Sequence, residues 1–583
     1  MPRRPLLALL AASLAAAAFG AGRAAAQATA VEPLPARRPA TFAPEWQFKA
    51  GEPAVTAARG MIASNSALAS AAGVEMLRRG GNAVDAAVAT GFALAVAYPV
   101  AGNLGGGGFM VIHFARGRSA ALDFRETAPA AATRDMYLGP DGEPTDKSRV
   151  GPLAVGVPGS VAGLTAALHR YGRLPLATVM GPAIRLAERG FAVDSAMWRS
   201  LVSDSAKLAR YAADSPFMPG GRPLALGTQV LQPDLARTLH RIARQGASGF
   251  YRGEVAARVG DEMRRGGGLV TPVDLANYRP IWRRPLRTTY RGYAVFGMPP
   301  VSSGGTTSFE ILHMLETRDT LPTFGGAAYA HLIAEVERRA FVDRNSKLCD
   351  PTFCTPPVKE LTSKAYARRL AATIDPARAT PTTSVSTLPD RTHTTHYAVV
   401  DRDGNAVSTT TTLNLGYGSG VFVRGAGFFL NDEMDDLAAA PGKPNAFGLI
   451  EGEQNAVQPG KRPLSSMTPS VVLDRAGRTL LVVGAAGGPT IISGTTQVIL
   501  NVLDHRMSLA DAMRAPRLHH QALPDTLVYE TGGLTEAAAD SLRAMGHGIR
   551  AQRRMVNVNA VMRVPGGWAG VSEPRASGAA VGY

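Results

Sequence analysis

Nothing in the chain restricts its fold as tightly as the change of character at Thr394. Residues 375–393 are crowded with Pro376, Thr380, Pro381, Thr382, Thr383, Ser384, Ser386, Thr387 and Pro389, the composition of a mobile linker. Residues 394–400 and 406–413 are instead rich in Thr, Val and Tyr, and Asp401-Arg402-Asp403-Gly404-Asn405 between them is a strong turn signal. The pattern predicts a β-hairpin whose first residue is a threonine delivered by a tether.

That placement suits an enzyme that makes its nucleophile by cutting its own chain. The Thr394 hydroxyl can attack the His393 carbonyl; an N-to-O shift gives an ester, and water then frees a new N-terminus. The released α-amine, with a reference pKa of about 7.7–8.0, can take the hydroxyl proton near neutral pH, so nucleophile and base are one residue. With a three-residue loop, Asp403-Gly404-Asn405, Thr394 faces Asn414 and lies diagonal to Thr412, all on one face; a two-residue loop would split them. Taken alone, Thr409-Thr410-Thr411-Thr412 is also explained by strand propensity.

The 583 residues, 45% hydrophobic and 19% charged, can bury a large core and exclude the fibrous and disordered classes; one composite domain is expected. Arg3 and Arg4, the apolar run 6–19 and Ala24-Ala25-Ala26 predict a signal peptide over residues 1–26, hence a periplasmic or secreted protein starting near Gln27. The run is too short to span a bilayer, which needs about 20 residues, and no later run is long enough, so no span is expected in the mature chain. The net charge of +16, or +13 without the signal, is spread along the sequence with no nucleic-acid module, so nucleic acid is not an expected partner. Cys349 and Cys354 leave two readings open, a local disulfide or two buried thiols, and they lack partners for a zinc site.

Helices are expected at 66–79 and 83–97, broken by Gly80-Gly81-Asn82, and at 160–171, 179–189, 233–245 and 330–343. The turn Asn103-Leu104-Gly105-Gly106-Gly107-Gly108 leads to strands at 109–114 and 119–124 that feed Arg125; later strands at 470–473 and 479–483 lead to Gly487-Gly488. Helices and hairpins in this balance indicate an α/β protein with antiparallel sheets. The glycine turn lacks the Lys-Ser/Thr of a phosphate cradle and reads as a close-approach turn, and Ser160 reads as a helix N-cap. His393 with His396, and His519 with His520, are unsuited to share a metal; Glu433, Asp435 and Asp436 read as a solvated loop or a cation site. No metal or cofactor is expected.

Thr394-Thr395-His396-Tyr397, Asp403-Gly404-Asn405-Ala406-Val407, and Thr410, Thr412, Leu413 and Asn414 together resemble the small-subunit start of γ-glutamyltransferases, which are N-terminal-nucleophile hydrolases. The resemblance extends to Gly81-Asn82-Ala83-Val84-Asp85-Ala86-Ala87, residues 102–110, Asp123-Phe124-Arg125-Glu126, residues 431–436, Lys461-Arg462-Pro463-Leu464-Ser465-Ser466-Met467 and Gly487-Gly488.

It implies an αββα four-layer sandwich with two antiparallel sheets, built by a large subunit, 27–393, and a small subunit, 394–583, that stay together as a heterodimer after cleavage between His393 and Thr394. It further implies Thr394 as nucleophile, Thr412 as its hydroxyl support, and Gly487 and Gly488 as N–H donors to the oxyanion. Arg125 with Ser465 and Ser466 would take the α-carboxylate of a γ-glutamyl group, Asp436 with Asn414 and Glu433 its ammonium, and Phe447 would gate a lid at 437–449.

The implied reaction passes γ-glutamyl groups from donors such as glutathione to water, amino acids or peptides. The departures are Ala398, where the family usually has a small hydroxyl residue, and Pro489-Thr490, which replaces a more polar pair. Alternatives are a cephalosporin (glutaryl) acylase, a poly-γ-glutamate-processing relative, and a non-catalytic exported binding protein.

Overall fold

The computed structural model describes residues 36–382 and 394–583, so the signal peptide and His393 lie outside the described residues. Two seven-stranded sheets face each other, and every neighbouring pair within them is antiparallel. One runs Ala579–Gly582, Met61–Ser64, Thr394–Val400, Ala406–Thr412, Gly107–His113, Ser119–Asp123, Ile281–Arg283. The other runs Val55–Ala57, Gly567–Val571, Asn557–Val564, Thr479–Ala486, Ser470–Leu473, Tyr293–Gly297, Leu286–Tyr290. Helices Ala83–Ala97 and Ser160–Tyr171 cover the outer face of the first sheet, and Thr490–Leu503 and Gly304–Glu316 that of the second, giving the four layers.

Burial on both faces explains why these strands do not alternate between apolar and polar residues. All seven residues of Thr394–Val400 are buried, as are all seven of Ala406–Thr412. Tyr397, Val399 and Val407 join the helix-side core with Ile62, Met110 and Phe92. The opposite face looks into the other sheet, where Ser408 Oγ donates to Val483 O at 3.1 Å and accepts from Ser470 N at 2.9 Å. Helix Ala83–Ala97 is wholly buried and Ala-rich, which lets it lie close; a side chain at Gly91 would start 2.8 Å from the Tyr397 hydroxyl. A capping box between Asn82 and Asp85 fixes its start.

Several sequence expectations shift by a residue or more for identifiable reasons. The hairpin that begins at Thr394 pairs Val400 with Ala406 and Thr394 directly with Thr412, so its loop has five residues, 401–405, instead of three. Thr394 and Thr412 do share a face, while Asn414 sits past the strand end with φ 79°. The loop is longer because the Asp401 carboxylate organises it: Oδ1 accepts from Asp403 N and Asn405 N, each at 3.0 Å, and Oδ2 from Asn405 Nδ2 at 2.7 Å. Oδ2 also accepts from Ala83 N at 3.0 Å, which ties the turn to a helix start.

Ser160 is not a cap but the first residue of its helix, behind Gly159. Its hydroxyl donates to Asn103 Oδ1 at 2.6 Å, and Asn103 Nδ2 donates to Thr412 O at 2.9 Å. The glycine turn is a close-approach turn, since a Cβ on Gly105 would fall 2.1 Å from Phe429 O and one on Gly106 2.1 Å from Thr412 O. Cys349 and Cys354 form a disulfide just beyond helix Ala327–Lys347, which settles the two readings in favour of the bridge. No helix of the described residues is long and apolar enough to cross a membrane.

Replacing Asp401 with Ala strands three backbone donors, two in the turn and one at the start of helix Ala83–Ala97, and the loss should be on the order of 3 kcal/mol. A lower denaturant midpoint at unchanged slope is the expected measurement.

Candidate active site

Thr394 opens an inner strand at the end of the sheet nearest the Asn103–Gly108 turn, and its Oγ1 lies 3.3 Å from Thr412 Oγ1. The Thr412 hydroxyl accepts from Asn414 N at 2.8 Å, which leaves its own proton free to point at Thr394. The left-handed backbone of Asn414 turns the chain sharply enough to make that bond. Its Nδ2 donates to Asp432 O at 3.1 Å, and Asp432 Oδ1 accepts from Leu415 N at 2.9 Å, so the segment after the hairpin is pinned to the acidic run 432–436.

A cavity of about 320 Å³ stands over Thr394. Arg125, Thr412, Asn414, Asp436, Phe447, Ser465, Ser466 and Gly488 line it, residues from before and after Thr394 that lie far apart in sequence. Of the residues singled out from the sequence, Glu433 and Gly487 do not reach its surface. Glu433 is fully buried behind Arg125, and Gly487 is the last residue before the turn.

The glycine pair follows strand Thr479–Ala486 and precedes helix Thr490–Leu503, with φ of 153° at Gly487 and 59° at Gly488. Both values are in the region that glycine alone tolerates well, and the helix start directs backbone N–H groups and positive dipole toward the cavity. A Cβ on Gly488 would also sit 2.6 Å from the Phe447 ring, so the aromatic packs directly on the glycine.

Charge is concentrated on one wall. Arg125, wholly buried, pairs with Glu433 and, at 2.5 Å, with Asp436; Glu126 lies at 3.6 Å, and Arg125 Nε donates to Pro463 O at 3.2 Å. Burial works against the guanidinium charge, but Glu433, Asp436 and Glu126 outweigh it and hold the Arg125 pKa above its ordinary value. Burial pushes all three carboxyls up against the pull of Arg125, Glu126 to about 8. Beyond their ion pairs with Arg125, the Glu126 and Glu433 oxygens have no hydrogen-bond partner. The acidic run is therefore no solvated loop: it is a buried wall with more carboxylates than Arg125 can neutralise.

Arg344 was not legible in the sequence. It comes from the interior of helix Ala327–Lys347, where no spacing marks it apart from Arg338 and Arg339. The structure brings it to the cavity, with NH2 donating to Ser466 Oγ at 3.2 Å and NH1 to Glu451 Oε1 at 2.7 Å. Ser465 instead holds backbone geometry: its Oγ accepts from Met467 N at 3.2 Å and its carbonyl from the Ser303 hydroxyl at 2.7 Å.

Three of the histidines singled out above, His396, His519 and His520, serve as hydrogen-bond struts. His396 Nδ1 meets Thr410 Oγ1 at 2.9 Å, His519 meets Ser493 and Gln521, and His520 meets Asp525. Among the described residues His331, Glu335 and His547 also cluster, but His331 Nδ1 and His547 Nε2 share a 2.7 Å hydrogen bond and Glu335 is paired with Arg338 and Arg339.

A threonine that opens an inner strand of two facing antiparallel sheets, with a glycine turn and a charged wall over it, defines an N-terminal-nucleophile hydrolase. The family model for gamma-glutamyltranspeptidase matches residues 69–583. The glutathione hydrolase proenzyme of Escherichia coli K12 is 44% identical over 530 residues, covering 89% of this chain and 91% of that one. Among solved structures, cephalosporin acylase from Bacillus halodurans superposes with a TM-score of 0.81 at 28% identity, over 92% of this chain and 97% of that one. Helicobacter pylori γ-glutamyltranspeptidase superposes at 0.53 with 43% identity, over 55% of this chain and 92% of that one. The chain belongs to the γ-glutamyltranspeptidase family, whose members are acyl-transferring enzymes.

Thr412→Val removes the hydroxyl beside Thr394 at constant shape, and kcat should fall at least about 10-fold, or about 1.4 kcal/mol. Steady-state kinetics on the processed protein check this.

Proposed function

We propose that this chain is an exported proenzyme that cuts itself between His393 and Thr394 and then transfers γ-glutamyl groups, with glutathione as a donor. Thr394 Oγ attacks the γ-carbonyl while the Thr394 α-amine takes the hydroxyl proton. Negative charge collects on the carbonyl oxygen beside Gly487 and Gly488. The C–N bond then breaks, the leaving amine receives the proton, and a γ-glutamyl ester remains on Thr394. Water, an amino acid or a peptide attacks that ester in turn, its proton passing to the same amine, and Thr394 is regenerated. The large and small subunits stay together as a heterodimer throughout.

The observation that carries the substrate reading is the charge of the wall. A γ-glutamyl donor brings an α-carboxylate and an α-ammonium to one end of the cavity. Arg125, Arg344 and Ser466 offer positive charge and hydroxyl for the first, and Asp436 offers a carboxylate for the second, beside Glu433 and Glu126, whose burial favours their protonated forms. A glutaryl group has the carboxylate but no ammonium and would leave the Asp436 carboxylate facing the cavity without a ligand cation. This favours glutamyl over the glutaryl-acylase alternative, although a cephalosporin acylase shares the fold. The relative named glutathione hydrolase proenzyme supports both the donor and the self-cleavage. Export rests on the leader composition of residues 1–26.

The wild-type protein should run as two bands on a denaturing gel, the smaller one beginning at Thr394 by N-terminal sequencing, and Thr394→Ala as one uncut chain. Asp436→Asn should raise KM for a γ-glutamyl anilide at least about 10-fold while leaving turnover of a glutaryl amide little changed. A wild-type preference for the glutaryl compound would overturn the substrate assignment.

A further inference from the structure

The loop over the cavity is tied down by something other than itself. Most bonds at its tip are internal or come from its own base: Asn445 Oδ1 accepts from Phe447 N and Leu449 N, and Asp435 Oδ2 accepts from Ala446 N at 2.9 Å. One comes from the glycine-pair side. Gln521 Nε2 donates to the carbonyl of Phe447 at 3.2 Å and to that of Leu523 at 3.2 Å.

Gln521 is itself held by a buried relay. Its Oε1 lies 2.9 Å from His519 Nε2, and His519 Nδ1 lies 2.7 Å from Ser493 Oγ. Ser493, His519 and Gln521 are each about 1% exposed. The protons follow by elimination: two carbonyls require Gln521 Nε2 as donor, so Oε1 accepts, His519 carries its proton on Nε2, and its Nδ1 accepts from the Ser493 hydroxyl. Burial holds the His519 pKa down at about 4, consistent with that neutral ring, and Phe341 packs edge-on against it at 5.4 Å. The backbone is fixed as well, because Gln497 donates to Leu518 O at 2.6 Å and accepts from Leu518 N at 3.0 Å.

Ser493 and Gln497 both belong to helix Thr490–Leu503, which begins two residues after Gly488. One rigid body thus presents the glycine pair and, through His519 and Gln521, grips the loop residue whose ring lies on Gly488. We propose that Gln521 is a positioning residue that latches the 437–449 loop closed over the acyl site, setting how tightly a donor is held while Thr394 carries out the chemistry. Loss of the latch frees Phe447 to swing off Gly488 without altering Thr394, Thr412 or the charged wall. The inference rests on the γ-glutamyl reading for its kinetic arm only.

The test uses the full chain with Gln521→Leu, which keeps bulk and removes both amide groups. The expected protein is cut into two pieces like the wild type. KM for a γ-glutamyl anilide should rise about fivefold or more with kcat changed less than about twofold. Limited proteolysis within 437–449 should be about fivefold faster or more. In a Phe447→Ala background the same replacement should add little to KM, because the latch would have no ring to place, while loop cleavage should still quicken, because the backbone carbonyl at position 447 remains to be gripped. Unchanged KM and unchanged loop cleavage in processed Gln521→Leu would overturn the proposal, as would a KM effect that persists in full without the Phe447 ring.

If Gln521→Leu does not accumulate as processed protein, Gln521→Glu is read the same way; it keeps the acceptor for His519 and turns a second acceptor toward the Phe447 carbonyl. The protease arm needs no turnover. Failure of the wild type on the anilide would sink the γ-glutamyl reading and leave the latch still decided by loop cleavage.

Discussion

The backbone ladder between Thr394–Val400 and Ala406–Thr412 sets everything that happens at the site. Side chains alternate across a strand, so a slip of one residue would turn Thr394 toward the helices and Thr395 toward the cavity. Three constraints oppose that slip. Asp401 fixes the turn from one end, Asn103 grips Thr412 O at the other, and Tyr397 fills a space that Gly91 leaves in the covering helix. The hydroxyl pair is thus positioned by groups that never meet a substrate.

A second tension runs through the charged wall. Four ionisable groups, Arg125, Glu126, Glu433 and Asp436, are packed where water cannot reach most of them, and their mutual attraction only partly offsets the cost of burial. Such a wall is poorly suited to standing empty and well suited to a ligand that arrives with both signs of charge. Affinity and selectivity then have one physical origin.

Much of this was legible in the sequence, and the rest was hidden for definable reasons. Local signals carried the hairpin, the helix break at Gly80-Gly81-Asn82, the close-approach glycines and the strand-to-glycine-pair junction, because each depends on neighbours a few residues away. The matching motifs carried Arg125, Asp436 and Ser466 to one cavity. The loop length was misjudged, since the Asp401 carboxylate bonds both within the turn and to a helix more than 300 residues earlier. Arg344 and Gln521 were invisible because their roles depend on tertiary neighbours, Ser466 and Glu451 for one and Phe447 and His519 for the other, that no periodicity encodes.

The strand order has a further consequence. Strands from before and after Thr394 are shuffled together, with three seams in the sheet that holds the nucleophile and two in its neighbour. Thr394–Val400 itself lies between Met61–Ser64, from upstream, and its own hairpin partner, which in turn pairs with Gly107–His113. Opening the chain at one peptide bond removes none of these ladders. Under the proposed cut before Thr394 the molecule is woven before it is opened, and its two pieces can come apart only by unravelling the sheets themselves.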